Sequence, residues 1–505
     1  MRFLILFIIV FNSPFLMAQH PVIEISRIMS PNETSICIDQ RNPSNILAGA
    51  NINQLSRSND GGLTWKSSFQ YSPYGVWGDP VIIQDTSGSF YHFHLSNYDG
   101  GTWIDRLICQ RSDDGGVSFN QGSYFGLNGT KAQDKPWAVV NPWNNEIYVT
   151  WTQFDEYDSK APEDRSNILF SRSADKGETW SEPVRINSVD GNCLDDDDTV
   201  EGAVPAVGPA GEIYVSWSGP NGLVFNSSLD GGLTWKNEEI RISDHIGGWN
   251  IEIEGIYRAN GMPVTKCDLS GGENHGTIYV NWADQRNGEN NTDIFLTKSV
   301  DGGSSWSEPK RVNQDQGEAH QFFTWMDIDQ TNGNLWFIYH DRRNADSLAT
   351  DVFIAMSSDG GETFVEHKLS ETSFQPEKEV FFGDYNNIAA HNNVIRPIWT
   401  RLDSKSLSIK TAIINPYLFT QPTSKDLVAK MDQKGVNLEI HYPRKLEEFD
   451  LTITSIDGED RVNISGLSLK KGRVKIPLTN LLDNGIYTIV VTTGEQEIKT
   501  LWIKG

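Results

Sequence analysis

The chain of 505 residues carries 67 acidic and 42 basic side chains, which gives a formal net charge of −25. A balance this acidic argues against nucleic acid or an anionic membrane as the main partner. With 44 glycines, 21 prolines and 16 tryptophans, and with turn residues between short apolar runs, the composition predicts a large β-rich protein with ample core material.

The N-terminus predicts export. Residues 1–18 contain the basic Arg2 and then the apolar run Phe3–Val10, and the chain could be cleaved before Gln19. A basic start followed by an apolar stretch too short for a membrane span is typical of a secretory signal peptide. The alternative is a buried N-terminal strand. We therefore expect a secreted chain without a stable membrane span.

Six copies of a short pattern, Ser-x-Asp-x-Gly-x-Thr/Ser-Trp/Phe, recur about every 60 residues between residues 58 and 364. In each copy the aspartate can accept hydrogen bonds from its own turn, and the glycine can supply a positive φ. The closing aromatic ring can fill the space between neighbouring sheets. The six aspartates are Asp60, Asp114, Asp175, Asp230, Asp301 and Asp359.

A second repeat occurs seven times, and it consists of a short apolar segment, a turn and a strand that often ends in Trp or His. Its period suits a blade of four antiparallel strands in a β-propeller. The seventh copy lacks the Asp pattern, and an isolated strand, Val22–Ile28, precedes the first copy. Because strands from both chain ends could close the ring without a free edge, seven blades are favoured over six. The seven copies are Ser35–Ala50, Asp79–His94, Lys135–Trp151, Ala203–Trp217, Met262–Trp282, Thr324–His340 and Asn386–Trp399.

The six copies of the Asp pattern resemble the Asp-box repeats of the sialidase-like β-propeller family. The resemblance implies an all-β propeller over residues 19–416 and a glycoside hydrolase that acts on glycans, with exo-α-sialidase as the most specific form. Sialidases clamp the substrate carboxylate with three arginines, and they use a tyrosine activated by a glutamate together with an aspartate acid/base. A neutral nucleophile avoids repulsion by that carboxylate, and guanidinium groups pair with it bidentately.

The residues just before each repeated inner strand are expected to converge near the propeller axis, since loops on one end of a rigid scaffold carry most sites. On the resemblance, Tyr385 would be the nucleophile and Glu201 its partner. Asp79 and Asp134 are further catalytic candidates, although each could instead cap a turn before proline. The candidate arginine clamps are Arg27, Arg258 and Arg401.

Two other functions stay open. A polysaccharide lyase would abstract a proton next to a uronate with His or Tyr while Arg neutralises the carboxylate. His92 and His94 could serve that role, but because they alternate on one strand they share a face, which favours a structural role. The third alternative is a propeller that binds glycan or protein without catalysis, since fold does not determine function.

No cofactor is expected. The sequence shows no nucleotide, haem or flavin motif, and the proposed reactions need none. The acidic run Asp195–Asp198 is the one candidate site for calcium, and a solvated loop is the favoured interpretation of it. The four cysteines are far apart and form no CxxC pair, so a zinc site is unsupported, and either disulfides or free thiols are compatible with their spacing. They are Cys37, Cys109, Cys193 and Cys267.

After Pro416 the composition changes, and residues 425–505 alternate apolar and polar side chains in short runs that predict a small β-sandwich. The ending Leu482–Val491, with Gly494, Lys499 and Lys504, resembles the C-terminal sorting domain of type IX secretion cargo. That resemblance implies the type IX machinery as a partner, and a secreted or cell-surface location reached through the periplasm of a Gram-negative bacterium. A carbohydrate-binding or spacer domain is the alternative. The predicted strands include Val436–His441, Leu451–Ile456, Val474–Ile476 and Ile486–Thr492.

Overall fold

The computed structural model describes residues 20–344, 348–420, 428–431, 437–442, 446–469, 472–478, 482–493 and 496–504. The predicted signal peptide, residues 1–18, lies outside the described residues. Residues 22–412 form seven four-stranded antiparallel sheets that follow one another along the chain. The seven-bladed propeller is therefore confirmed, and the six-bladed alternative is excluded.

Each of the first three blades runs in chain order from its innermost to its outermost strand. Blade 1 consists of β2 (Thr34–Ile38), β3 (Ile46–Ala50), β4 (Gln54–Ser58) and β5 (Lys66–Phe69). Blade 2 consists of β6 (Val81–Gln84), β7 (Phe90–Leu95), β8 (Leu107–Ser112) and β9 (Ser123–Phe125). Blade 3 consists of β10 (Ala132–Val140), β11 (Ile147–Phe154), β12 (Ser166–Ser173) and β13 (Val184–Arg185).

The next three blades repeat this order. Blade 4 consists of β14 (Glu201–Val207), β15 (Ile213–Gly219), β16 (Gly222–Ser228) and β17 (Ile240–Ser243). Blade 5 consists of β18 (Val264–Cys267), β19 (Ile278–Asp284), β20 (Asp293–Ser299) and β21 (Lys310–Arg311). Blade 6 consists of β22 (Gln321–Asp329), β23 (Asn334–Asp341), β24 (Asp351–Ser357) and β25 (Val365–Lys368).

Blade 7 joins the two ends of the propeller chain. Its three inner strands are β26 (Asn387–His391), β27 (Val394–Asp403) and β28 (Ser406–Ala412), and its outer strand is β1 (Val22–Ser26). Val22 pairs with Ala412, so the first strand completes the last blade and covers its edge. The third strand of this blade has no hairpin to a fourth, which explains why seven blades carry six copies of the Asp pattern.

The Asp pattern forms the hairpin between the third and fourth strands of blades 1 to 6, and blade 4 shows its bonding. The Ser228 hydroxyl donates to Asp230 Oδ1 at 2.8 Å and accepts the Gly232 N–H at 2.8 Å. Asp230 also accepts the amide of Thr234 at 2.9 Å. The aromatic Trp235 packs on Phe170 of blade 3, with ring centroids 5.1 Å apart. The predicted contact between neighbouring sheets is therefore confirmed.

The second repeat also has a structural cause. In four blades the second strand contains a tryptophan in its second half with at most 1% of its surface exposed, and in blades 2 and 6 a histidine, His94 or His340, is buried at the corresponding place. Large rings at equivalent places fill the space where wedge-shaped sheets meet. The tryptophans are Trp151, Trp217, Trp282 and Trp399.

The propeller has two distinct faces. The Asp-pattern hairpins lie on one of them, which we call the hairpin face. Because the strands alternate in direction, the innermost strands begin at the opposite face, together with the loops that lead from one blade to the next. We call this opposite face the funnel face.

The C-terminal sheets follow a short helix, α1 (Tyr417–Thr420). Leu438 and Ile476 of one sheet share a buried core with Leu451 and Ile489 of the other, which confirms the predicted β-sandwich. One sheet contains β29 (Val428–Met431), β30 (Asn437–Tyr442) and β33 (Gly472–Pro477). The other contains β32 (Asp460–Leu469), β31 (Leu446–Ser455), β34 (Gly485–Thr493) and β35 (Gln496–Lys504).

All four cysteines are free thiols in the structure, and three of them are buried. Between residues 20 and 504, the described segments include no helix with the length and hydrophobicity that crossing a bilayer requires.

Candidate active site

Charged side chains from six blades and their connecting loops meet at the funnel face. The contacts reach across the ring, as when Arg258, which precedes blade 5, binds Asp384, which precedes blade 7. Residues from so many blades can meet only near the propeller axis. We call this group the axial cluster. It consists of Glu33, Asp79, Asp134, Lys135, Asp195, Glu201, Arg258, Asp384 and Tyr385.

Lys135 lies at the centre of the axial cluster. Its ammonium nitrogen is 2.9 Å from Asp384 Oδ2, 3.9 Å from Asp79 Oδ2 and 4.0 Å from Asp134 Oδ2. A buried ammonium group is costly unless carboxylates surround it. Lys135 is 4% exposed, so its three carboxyl neighbours hold a charge that solvent cannot reach.

Arg258 is the most open charged side chain of the cluster, with 26% of its side-chain surface exposed. It donates from Nε to Asp384 Oδ1 at 2.8 Å, from Nη2 to the other oxygen of Asp384, and from Nη1 to Asp195 Oδ2 at 2.5 Å. Burial alone would raise the pKa of Asp384, but Arg258 and Lys135 hold that pKa well below its usual range. Asp384 is therefore ionised.

Asp195 lies at the mouth of the cluster and is also ionised. It accepts hydrogen bonds from Tyr157 Oη at 3.0 Å and from the indole of Trp249 at 2.7 Å, besides that of Arg258. Burial favours the protonated form, yet the positive charges of Arg258 and Lys135 lower the pKa of Asp195 below its usual value. Two neutral donors and a guanidinium thus fix one carboxylate facing the opening.

Three carboxyl groups beside these carboxylates have the opposite tendency. Burial raises the pKa of Asp134 to about 7, with Lys135 opposing the shift and Asp79 adding to it. Burial and the negative charge of Asp195 raise the pKa of Glu201 well above its usual range, and burial and Asp79 do the same for Glu33. Within the described residues, neither carboxyl oxygen of Glu201 has a hydrogen-bond donor, which fits a protonated carboxylic acid.

Tyr385 is buried in the axial cluster, next to Asp79. Its hydroxyl donates to Asp79 Oδ1 at 3.4 Å, and its ring packs edge-on against Trp137 with centroids 5.1 Å apart. Burial, together with the negative charges of Asp79 and Glu33, raises the pKa of this phenol well above its usual value. The carboxyl group nearest to the Tyr385 proton is therefore that of Asp79, whereas the sequence analysis pairs Tyr385 with Glu201.

Unusual backbone conformations hold several of these side chains in place. Glu33, Asp79, Lys135 and Asp195 all have positive φ, between 46° and 54°, which costs non-glycine residues on the order of 1 kcal/mol each. The pairing of β10 with β11 shifts between Asp134 and Trp137, around a proline that cannot donate to the ladder. The bulge turns adjacent side chains towards the axis.

One glycine is required by this close packing. Gly383 has φ of 94°, and a Cβ placed on it would come within 2.8 Å of the Glu33 backbone nitrogen. Only glycine combines that conformation with that approach. Gly383 thus allows the loop carrying Asp384 and Tyr385 to lie against blade 1.

The structure brings five of the nine predicted site residues together. Tyr385, Glu201, Asp79, Asp134 and Arg258 all belong to the axial cluster. The roles that the sequence analysis gives them stay predictions.

Two predicted arginine clamps lie elsewhere. Arg27 forms an exposed ion pair with Glu24 on β1, and Arg401 pairs with Asp403 of blade 7 at 2.9 Å and binds the carbonyl of Thr372. Both arginines belong to local ion pairs of the seventh blade. Arg27, Arg258 and Arg401 therefore do not meet at one point, as a clamp for a carboxylate would require. The position of an arginine along the chain does not determine the direction in which its side chain points.

His92 and His94 lie in the interior of blade 2. Their rings are 5.1 Å apart, as expected for one face of a strand, and both are at most 1% exposed. His94 contacts the carbonyl of Leu95 through Nδ1 at 2.8 Å and Gln110 through Nε2 at 3.3 Å. Burial lowers the pKa of His94 to about 4 and that of His92 well below its usual range. Both are neutral packing residues in this arrangement.

Lys135, Asp384 and Glu33 are not among the predicted site residues, and Asp195 is predicted only as part of a solvated or calcium-binding loop. Lys135 and Asp384 could be predicted from the sequence, because each is adjacent to a predicted site residue, Asp134 or Tyr385. Glu33 directly precedes the inner strand of blade 1, the position that Asp79 has in blade 2. Among the described residues, no group of three or more His, Cys, Asp or Glu side chains is arranged to hold a metal ion.

The chain has only low similarity to known proteins. No family model matches the chain, and no curated protein matches it. Solved structures similar to it include an uncharacterised Dyadobacter fermentans protein (14% identity, TM-score 0.44, 67% of this chain and 97% of that one). Another is the Fusarium graminearum α-L-arabinofuranosidase Arb93A, with 15% identity and a TM-score of 0.44 over 63% of this chain and 92% of that one. A third is the Streptococcus pneumoniae sialidase NanB, with 10% identity and a TM-score of 0.42 over 73% of this chain and 83% of that one. At these scores the likeness carries no argument about activity, and the strand topology defines the architecture.

Proposed function

We propose that the protein is a glycoside hydrolase whose catalytic groups belong to the axial cluster. One observation carries the proposal: Asp134, beside Lys135, and Asp195, bound to Arg258, enter one charged cluster from neighbouring blades, and their surroundings shift their pKa values in opposite directions. Pairs of carboxyl groups with separated pKa values provide the acid and the base of many glycosidases. Both side chains are close to 10% exposed, and Asp195 binds Arg258, the most open charged side chain of the cluster.

Each member of the pair has a definite task in this proposal. Asp134, with a pKa of about 7, donates its proton to the glycosidic oxygen as the bond to the anomeric carbon breaks. The Asp195 carboxylate supports the positive charge that develops at that carbon. Water then attacks the carbon, its hydroxyl group forms the new bond, and its remaining proton returns to the Asp134 carboxylate. Tyr157, Trp249 and Arg258 hold Asp195 in place, while Glu201 supports it from the buried side.

A sialidase mechanism is the finer form of the proposal that the sequence resemblance implies. It would use Tyr385 as the nucleophile, and the geometry provides Asp79 as the group that accepts the phenol proton. It would also need an arginine clamp, for which the cluster supplies Arg258. An α-sialoside therefore belongs among the test substrates.

The test is release of a chromophore from aryl glycosides by the full chain. The panel includes arabinofuranoside, xyloside, glucoside, galactoside and α-sialoside, and it is repeated with Asp134→Asn and Asp195→Asn. Turnover that both substitutions abolish, and that the exposed control Asp99→Asn retains, supports the proposal. Turnover that survives both substitutions would reject this assignment. An unsaturated, ultraviolet-absorbing product from a uronate polymer would instead establish a lyase.

We also propose that the chain is exported. The support is the sequence of residues 1–18 and the resemblance of residues 425–505 to type IX sorting domains, whose machinery would then be the partner. The expected location is the cell surface or the medium, reached through the periplasm of a Gram-negative bacterium. A reporter that carries residues 1–18 at its N-terminus and residues 425–505 at its C-terminus should appear outside the cells of a host with type IX secretion, and retention in the periplasm would contradict the proposal.

A further inference from the structure

Five aromatic rings, three exposed and two half-buried, lie around the opening above the axial cluster. On one side of Arg258 lie Trp77, Trp103 and Tyr157, and on the other lie Tyr257 and Phe381. Trp103 is 44% exposed and Tyr257 is 56% exposed. We call these five residues the aromatic belt. Apolar groups that are exposed next to one another mark a binding surface, whereas rings exposed singly are common.

The aromatic belt is continuous with the proposed catalytic carboxylates. The rings of Trp77 and Trp103 are 6.4 Å apart and those of Trp103 and Tyr157 are 5.5 Å apart, and the Tyr157 hydroxyl donates to Asp195. On the other side, the guanidinium carbon of Arg258 lies 5.4 Å from the centre of the Phe381 ring. A ligand that covers the belt therefore passes directly over Asp195 and Arg258.

The charges of the cluster restrict the ligand. Six carboxyl groups surround one ammonium and one guanidinium group, and both cations already have carboxylate partners. Asp195 and Asp384, whose pKa values are lowered, both bind Arg258. Asp384 also binds Lys135. An anionic sugar would lose its hydration here without gaining a free cation.

We infer that the funnel mouth binds an uncharged polysaccharide chain, with the aromatic belt as the surface on which its sugar rings pack. Sugar rings have apolar C–H faces that lie on aromatic rings and hydroxyl edges that bind carboxylates, and the belt and Asp195 offer both. The inference rests on the proposed hydrolase function, of which it names the substrate class. The expected substrate is then a neutral chain, and neither a sialoside nor a uronate polymer is expected to bind.

The test measures binding separately from turnover. The full chain carrying Asp134→Asn is run through native gels that contain neutral polysaccharides (arabinan, xylan or xyloglucan) or anionic ones (polygalacturonate or polysialic acid). Retardation by at least one neutral chain and by neither anionic chain is expected. Retardation by an anionic chain, or by none of the neutral chains, overturns the inference.

A matched pair of tryptophan variants locates the surface. Trp103→Ala should weaken neutral-chain binding about tenfold, the equivalent of about 1.4 kcal/mol. Trp143→Ala is the control, because Trp143 is 55% exposed in the turn between β10 and β11, on the hairpin face. Equal binding by wild type and Trp103→Ala would contradict the inference, and a measurement with Trp77→Ala checks that the result does not depend on one side chain.

The two proposals can fail independently. Binding of a neutral chain without any turnover by the wild type would reject the hydrolase and keep the sugar-binding surface. Hydrolysis of small aryl glycosides without retardation by any neutral polysaccharide would keep the hydrolase and reject the surface.

Discussion

The hairpin face and the funnel face of the propeller are built in different ways. On the hairpin face, six copies of one motif satisfy their polar groups within about seven residues, as Ser228, Asp230 and Thr234 do in blade 4. On the funnel face, polar groups find partners more than 100 residues away, as Arg258 and Asp384 do. The first face repeats one local solution, whereas the second combines different residues from successive blades into one non-repeating cluster.

The difference separates stability from function. Repetition on the hairpin face stabilises each blade and leaves little chemical variety. On the funnel face, buried carboxyl groups and strained backbone conformations such as that of Asp79 are retained at a cost in free energy, which is common at functional sites. Substitutions on the two faces should therefore have different consequences.

The largest expected effect is on activity. Asp134→Asn keeps the shape of a protonated carboxyl group but has no proton to donate to the glycosidic oxygen. Catalytic efficiency should fall about 10²- to 10⁴-fold, the usual contribution of a general acid, while circular dichroism and the thermal midpoint at pH 6 stay near those of wild type. Steady-state kinetics on the best aryl glycoside measure the effect, and a change below threefold would remove Asp134 from the mechanism.

The next effect is on stability. Lys135→Met removes the ammonium at the centre of the cluster and leaves Asp384 buried with one cation fewer. The free energy of unfolding should fall by about 3–5 kcal/mol, as when one partner of a buried ion pair is deleted. Urea unfolding measures it.

Lys131→Met provides the control for that prediction. Lys131 forms an ion pair with Asp155 at 2.6 Å in the same blade, but with 39% of its side chain exposed. Its loss should cost less than about 1 kcal/mol. If both substitutions lowered the free energy of unfolding equally, removing a cation from the axial cluster would cost no more than removing one from the surface.

A smaller effect is expected on the hairpin face. Ser228→Ala removes a buried hydroxyl that donates to Asp230 and accepts the Gly232 N–H. Stability should fall by about 1–2 kcal/mol because that N–H loses its partner, with catalytic efficiency unchanged. Kinetics and unfolding are measured on the same preparation. Loss of activity in a fully folded Ser228→Ala protein would contradict the separation of the two faces.

The smallest effect concerns the pH dependence of stability. Asp134 has an ordinary pKa of 3.8 that rises to about 7 in the folded protein. A raised folded-state pKa gives a contribution that is complete below about 4 and is lost as pH rises through about 7. Between pH 6.5 and 8 the wild type should therefore lose more stability than Asp134→Asn does.

Thermal midpoints of the two proteins, compared at each pH, measure this difference. Groups common to both proteins cancel in the comparison, including the buried histidines whose pKa values are lowered and act mainly below pH 6.5. Parallel curves for the two proteins would show that Asp134 titrates as in the unfolded chain.

Much of the architecture can be predicted from the sequence because its causes are local. The Asp pattern contains its own hydrogen-bond donors and acceptors, and a repeated Trp or His marks the second strand in six of the seven blades. The C-terminal sandwich follows from alternating residues in the same way. Even the closure by β1 could be predicted from a strand without a local partner.

The site could be predicted only in part. Position before an inner strand was enough to find Asp79, Asp134, Glu201 and Tyr385. It could not show that Tyr385 contacts Asp79, since that contact joins residues 306 positions apart and depends on how the ring closes. The arginines were the least predictable, because a long side chain can pair locally, as Arg27 does with Glu24, or reach across the axis, as Arg258 does.

The most direct test of the central claim is the pH dependence of catalytic efficiency for the full chain on its best glycoside. If Asp134 donates the proton, efficiency should be highest below pH 7 and fall tenfold per pH unit well above it, with the midpoint near 7. An efficiency that stays constant from pH 6 to pH 9 would contradict the claim that a carboxylic acid in the axial cluster drives the reaction.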